Sequence, residues 1–242
     1  MKIAVLTDIH ANLPALRAAL DEIALIGCDK IVHTGDLIGI GPHPRECMEL
    51  MFERPDVLYV MGNHDAKFAS GLPPVRPPQM SSRVYVHHRW THEQLDPAMR
   101  DVVAEWPYAI TKSCAGVRFA FQHYGWNVAT QRFADVIDDP TASDLDRMFG
   151  GKNHDVVFYG HHHPKHEEQG LAHYINPGAL GCSDEPVARF AVVELQGDGT
   201  YEISHHAAPY NPCVLFEAYE AREVPQREFF YENFFAGLFQ SV

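Results

Sequence analysis

Carboxylates, imidazoles and one carboxamide stand where the apolar runs of this sequence stop. Residues 2–7, KIAVLT, lead into Asp8-Ile9-His10; KIVH leads into Thr34-Gly35-Asp36; DVLYVM leads into Gly62-Asn63-His64-Asp65. Farther on, FAFQ ends in His123 and VVFYG in His161-His162-His163. Asp8 and His10 are two apart, as are His161 and His163, which puts each pair on one face of a strand or converges it in a tight loop. Carboxylate and imidazole without thiolate suit Mn²⁺, Fe or Zn²⁺ rather than an iron–sulfur cluster or a structural zinc. Asp8, His10, Asp36, Asn63, His123, His161 and His163 exceed what one ion takes from protein in a catalytic site. They suit two ions a few Å apart that share a carboxylate and keep positions open for water.

Taken singly, each residue has a plain structural reading. Asp8 can cap the helix that follows it, and Asp36 can be an ordinary turn aspartate. His123 can be a satisfied core histidine, and the run at 161–163 can arise by chance among 16 histidines. The joint placement at successive strand ends is what favours the metal reading, because open α/β sheets bind ligands outside the carboxyl ends of their strands.

The elements that must position these groups follow from periodicity. After the first strand, Leu16, Ala19, Leu20, Ile23 and Ile26 recur at helical spacing, and Gly27 stands where a helix stops. A second strand (30–36), a helix over 44–53 and a third strand ending in a GNHD loop complete a βαβαβ pattern, which implies parallel pairing and right-handed crossovers. A Pro-dense surface loop fills 71–82, one helical stretch covers 82–105, and the region 65–110 is expected to form a cleft-flanking helical insertion that overhangs the site and shapes specificity. GVRFAFQH, HDVVFYGHH, AHYINPG, ARFAVVEL and TYEISHH read as further strands, with turns at CAG, GK, NPG and GDG. No linker or repeat divides the chain, so the expectation is one domain with two sheets, each backed by helices. In the tail, 214–242, Phe230, Phe234 and Leu238 and Tyr231, Phe235 and Phe239 stand at i,i+4 spacing. A helix there packs on the core or on a second copy of the chain, or forms an aromatic box for a ligand.

Composition narrows the partners. Apolar residues make up 46% of the 242 and charged residues 21%, near the globular average, which sets aside disordered and fibrous readings. Lys+Arg of 19 against Asp+Glu of 32 leaves a net charge of −13, which repels long nucleic acids and anionic membrane surfaces. A small phosphorylated substrate stays open, because a bound cation reverses the sign locally. Five scattered cysteines without a CxxC pair read as free thiols in a reducing compartment. The apolar run at the start is too short for a signal peptide, and a membrane span needs about 18 or more apolar residues, so the expected location is the cytoplasm.

Asp8-x-His10, Gly35-Asp36, Gly62-Asn63-His64-Asp65, His123 and Gly160-His161-x-His163 together resemble the five signature blocks of the calcineurin-like metallophosphoesterase superfamily, in the same order and over roughly residues 3–180. Ile175-Asn176-Pro177-Gly178 resembles the turn after the histidine motif in its small, single-domain bacterial phosphodiesterase and phosphatase branch. The resemblance implies an α/β fold, a four-layer α/β/β/α sandwich. It implies that Asp8, His10 and His163 hold one divalent ion, that Asn63, His123 and His161 hold another, and that Asp36 bridges them. Mn²⁺ is the foremost ion, with Fe, Zn²⁺ or Ni²⁺ as alternatives. His64 corresponds to the histidine that protonates the leaving oxygen or steadies its charge, while a metal-bridging hydroxide attacks in line. His162 points away on strand alternation.

The implied activity is hydrolysis of phosphodiesters or small nucleotide-type phosphates. The rival readings are a non-catalytic scaffold of the same fold, docking through its aromatic tail, a nuclease, and a protein Ser/Thr phosphatase. Net charge stands against the nuclease. Against the protein phosphatase stands Leu37-Ile38-Gly39, where those relatives carry an aspartate that orients the catalytic histidine. Asp65 is expected to stabilise its loop. His33, His43, His87, His88 and His92 match no ligand block, and the last three are expected on a solvated or cleft-lining helix face.

Overall fold

Strand β1 (Lys2–Leu6) turns Ala4 and Leu6 to one face and Val5 to the other, and all three are fully buried. A strand covered on both faces belongs in the middle of a layered α/β structure. In the computed structural model, which describes residues 1–150 and 153–239, β1 is the centre of a five-stranded sheet. Helix α1 (Leu13–Ile26), β2 (Lys30–His33), α2 (Pro44–Phe52) and β3 (Val57–Tyr59) follow, and β1, β2 and β3 pair in parallel. The Asn12 side chain caps α1 by accepting the Ala15 N–H, and Gly27 ends it in the left-handed conformation, at φ 74°.

Helices α3 (Asn63–Ser70), α4 (Ser82–Glu93) and α5 (Met99–Ala104) lead to the second sheet. Its region contains β4 (Ala109–Cys114), β5 (Val117–Gln122), the short hairpin β6 (Trp126–Asn127) and β7 (Arg132–Phe133), α6 (Ala142–Phe149), β8 (Val156–Phe158), β9 (His166–Gln169) and β10 (His173–Asn176). The chain returns to the first sheet through β11 (Val187–Leu195) and β12 (Tyr201–Pro209), then closes with α7 (Pro212–Ala221), α8 (Arg227–Phe234) and α9 (Ala236–Phe239). The sheet orders are β12-β11-β1-β2-β3 and β4-β5-β8-β10-β9, both with parallel and antiparallel pairs.

Three apolar layers hold the two sheets and their helices. Between the sheets, Val5, Val32 and Val193 meet Phe119, Phe121 and Phe158. Outside the first sheet, Leu16, Leu20 and Ile23 of α1 and Met48 and Met51 of α2 cover Leu6, Ile31 and Phe190. Outside the second, Leu145 and Phe149 of α6 cover Val157, Tyr159 and Tyr174. The result is the expected sandwich of two mixed sheets flanked by helices. Among the described residues no helix is long and apolar enough to cross a membrane.

Several local expectations are corrected. GNHD is not a loop: Asn63 opens α3 directly after Gly62. The stretch 82–105 is two helices, because Pro97 lacks an N–H and disfavours helical backbone at the residue before it. Strands β4 and β9 escaped notice because AITKSC and HEEQ are edge strands with no apolar alternation. The tail is three helices rather than one, interrupted at Phe235, whose φ of −141° is not helical. Its Phe230, Tyr231, Phe235 and Leu238 are buried against Ile40, Ala179 and Cys182 of the same chain, whereas Phe239 is exposed. His87, His88 and His92 are not solvated; all three are buried. The GK turn at 151–152 and residues 240–242 of the tail lie outside the described residues.

Candidate metal centre

All the strand ends named from sequence open on one edge of the sandwich. Asp8 and His10 follow β1, Asp36 follows β2, Asn63 and His64 form the first turn of α3, His123 follows β5, and His161 and His163 follow β8. Backbone hydrogen bonds stitch these loops together across both sheets. Asp8 N–H donates to Gly35 O at 3.0 Å, His10 N–H to Asp36 O at 3.0 Å, and Gly160 N–H to His123 O at 2.8 Å. Ala179 N–H donates to His163 O at 2.7 Å and Gly181 N–H to Asp8 O at 2.9 Å, which places the INPG turn behind the histidine loop.

The backbone is under strain at this edge. Asp8, His10, Asp36, His161 and His163 all have left-handed φ, between 46° and 73°. Such a conformation costs a non-glycine residue roughly 1 kcal/mol or more, and it persists where surrounding contacts over-determine it. Glycine provides the close approach of one loop to another: a Cβ at Gly62 would overlap the Asp36 backbone N and Oδ1.

Each carboxylate is anchored by one oxygen and offers the other. Asp8 Oδ2 accepts from Thr7 Oγ1 at 2.7 Å and from His161 N–H at 2.9 Å. Its Oδ1 is buried without a hydrogen-bond partner, 3.6 Å from His10 Nε2 and 3.7 Å from His163 Nε2. Asp36 Oδ1 accepts from His64 N–H at 2.8 Å, while Oδ2 lies 3.4 Å from His123 Nε2 and 3.9 Å from His10 Nε2. The imidazoles are aimed in the same way. His123 Nδ1 lies 3.0 Å from Thr34 O, so an N–H there turns the Nε2 lone pair inward.

The donors crowd one another at distances that a shared cation explains. His10 Nε2 is 2.9 Å from His163 Nε2, and His123 Nε2 is 3.1 Å from His161 Nδ1. Ligands about 2.0–2.1 Å from a divalent ion stand roughly 3.0–3.4 Å from each other, which is close to this spacing. The Asn63 amide faces acceptors on three sides, His161 Nδ1, His123 Nε2 and Asp36 Oδ2. With its oxygen inward a cation must lie between them; with its nitrogen inward it donates to them. Buried oxygen and nitrogen donors around two carboxylates therefore fit divalent cations.

Electrostatics follow the same arrangement. Burial alone would raise Asp8 and Asp36, but the histidines around them outweigh it and hold both carboxyls below their ordinary value. Burial and neighbouring imidazoles push His10 and His161 down to about 4. Burial opposes a charge on His123 too, yet the Asp36 carboxylate, helped by Asp8 and Asp65, raises it to about 9. Burial beside Asp36 pushes Asp65 up to about 7, against the pull of the N–H groups it accepts.

His64 stands at the rim, with Nε2 4.0 Å from Asp36 Oδ2 and its side chain partly exposed. Its ring lies 5.2 Å from that of His10 and 5.0 Å from that of His88 on α4. His162 turns away, toward Asp138 O and Asn176. Sequence reasoning missed one neighbour. Cys182 brings its sulfur within 4.8 Å of ring nitrogens of His10 and His163, and no spacing rule marks it. His88 is expected on a solvated or cleft-lining face, and its approach to His64 depends on how α4 packs.

Residues 1–198 match the calcineurin-like phosphoesterase superfamily domain. A segment of 63 residues is 49% identical to the uncharacterized protein MJ0912 of Methanocaldococcus jannaschii; the match spans 26% of this chain and 26% of that protein. The crystal structure of the hypothetical protein PH1004 from Pyrococcus horikoshii OT3 superposes with a TM-score of 0.80 at 19% identity, over 98% of each chain. That of a metallophosphoesterase from Sphaerobacter thermophilus gives 0.68 at 24% identity, over 93% of this chain and 95% of the other.

Proposed function

The chain belongs to the calcineurin-like phosphoesterase superfamily, and on that premise we propose that it is a dinuclear-metal phosphoesterase acting on phosphodiesters or small nucleotide-type phosphates. One observation carries the reading: a single carboxylate oxygen, Asp36 Oδ2, stands between two sets of donors, 3.4 Å from His123 Nε2 and 3.9 Å from His10 Nε2. Asp8, His10 and His163 would hold one ion and Asn63, His123 and His161 the other, with Asp36 shared and Mn²⁺ foremost. Ions held there would acidify water and draw off charge collecting on phosphoryl oxygens.

The chain's own groups orient the rest. Thr7 and the amide of His161 fix Asp8, the amide of His64 fixes Asp36, and Thr34 O fixes the ring of His123. Donors locked this way need little reorganisation during reaction. His64, at the partly exposed rim, is the group able to donate a hydrogen bond to the departing oxygen; such a contribution is typically worth about 10²–10⁴-fold. The net charge of −13 favours small phosphates over long polyanions.

Hydrolysis of a bis-aryl phosphate diester by metal-stripped protein, with and without added Mn²⁺, tests the proposal. Turnover only after Mn²⁺ addition is expected. No turnover by protein that carries two ions per chain would contradict it.

A further inference from the structure

A cavity of about 550 Å³ opens beside the donor cluster, within the size range of small-molecule sites. Asn63 forms part of its wall, and Lys67, one turn later on α3, lines the same space. Part of its wall is aromatic. Phe133 packs 5.4 Å from the His123 ring and 4.9 Å from Trp126, and Trp126 stacks on Tyr108 at 3.7 Å and 9°. Arg132 sits between these rings in sequence and also lines the cavity. Among the described residues no acidic one lines it, although the chain carries 32. Among the described residues, neither Lys67 nor Arg132 forms an ion pair, and the Asp36 carboxylate helps hold the charge on Lys67 against its burial.

Two cations outside any ion pair and a stacked aromatic wall, both next to the donor cluster, are the complement of a phosphate bearing a planar ring. We infer that this cavity is a nucleoside subsite: the base lies against the Tyr108–Trp126–Phe133 wall, and Lys67 and Arg132 face the phosphate and sugar side. The inference rests on the phosphoesterase reading and deepens it, since it names which phosphate esters the site prefers. Aromatic rings contribute to base binding through stacking whatever the base, so the subsite selects for a nucleoside rather than for one particular base.

Calorimetric binding of AMP and of ribose 5-phosphate to the Mn²⁺-loaded protein tests it, because the two share the phosphate and sugar and differ in the ring. AMP is expected to bind at least roughly tenfold more tightly, in line with the usual strength of base–aromatic stacking. Trp126→Ala should bring AMP to the level of ribose 5-phosphate while leaving ribose 5-phosphate unchanged, which also reports an intact fold. Tyr108→Ala should narrow the gap in the same way. Equal affinity in the wild-type protein, or a preference for AMP that survives both substitutions, would overturn the subsite. Failure of the phosphoesterase reading looks different: the preference for AMP persists and diester turnover is absent.

Discussion

Both oxygens of Asp65 accept backbone N–H groups from the loop that carries Asp36: Oδ2 from Asp36 itself at 2.8 Å and Oδ1 from Leu37 at 3.1 Å. Oδ2 also accepts from Gly62 N–H at 3.1 Å. The first turn of α3 is thereby tied to the end of β2, and the left-handed conformation of Asp36 is held from the neighbouring strand end.

Asp65→Ala leaves three buried N–H groups without their acceptor. A buried N–H left without its acceptor costs about 1–3 kcal/mol, so a loss of about 3 kcal/mol or more is expected in denaturant unfolding. Metal content should fall with it, because Asp36 loses its support. Unchanged stability with full metal content would show that Asp65 is dispensable to the loop.

The ring of His64 is confined from two sides. A Cβ at Gly39 would overlap its Nδ1, and the His88 ring lies 5.0 Å away on the other side. Gly39→Ala and His88→Ala should each lower kcat by roughly 10–100-fold through misplacement of His64, with two ions per chain retained. His64→Ala should show the largest loss on substrates with poor leaving groups, again at full metal content. Metal lost in parallel with activity would instead make His64 part of the metal site.

Acid should unfold the protein early. Burial pushes His33 down to about 3 and His43, His87 and His92 down to about 4, so the fold keeps these rings neutral while the unfolded chain protonates them near 6.5. Their folded pKa values are depressed for a basic group, so the unfolded state binds more protons as pH falls. The contribution of these four rings is therefore full above about pH 6.5 and declines toward pH 4, each ring adding up to roughly 1.4 kcal/mol per pH unit to the slope. His92 has neither ring nitrogen hydrogen-bonded and packs edge-on to Phe68. His92→Leu should flatten the decline, as read from unfolding midpoints at pH 7 and pH 5; an unchanged slope would count against this account.

Much of the site was legible because each donor ends an apolar strand. Asp8, Asp36, His123 and His161 are found by reading where β-rich runs stop, and parallel pairing of β1, β2 and β3 brings the first ends together. The first turn of α3 was misread as a loop because its start is set by Asp65 reaching back to Gly62 and Asp36, contacts with no local periodicity. Edge strand β9, HEEQ, had no apolar alternation to find, since its pairing with β10 is through the backbone. The burial of His87, His88 and His92 was hidden for a different reason. Helix α4 covers the site through contacts such as Ile40 N–H to His87 Nε2 at 2.9 Å, which join residues 47 apart in sequence.

Activity measured against the number of Mn²⁺ ions bound per chain tests the central claim most directly, because the proposed sharing of Asp36 would need both ions. Stripped protein titrated with Mn²⁺ should show little diester turnover up to one ion per chain and full turnover at two, and Asp36→Asn should weaken both sites together. Full turnover at one ion per chain, or loss of a single ion in Asp36→Asn, would contradict the dinuclear account.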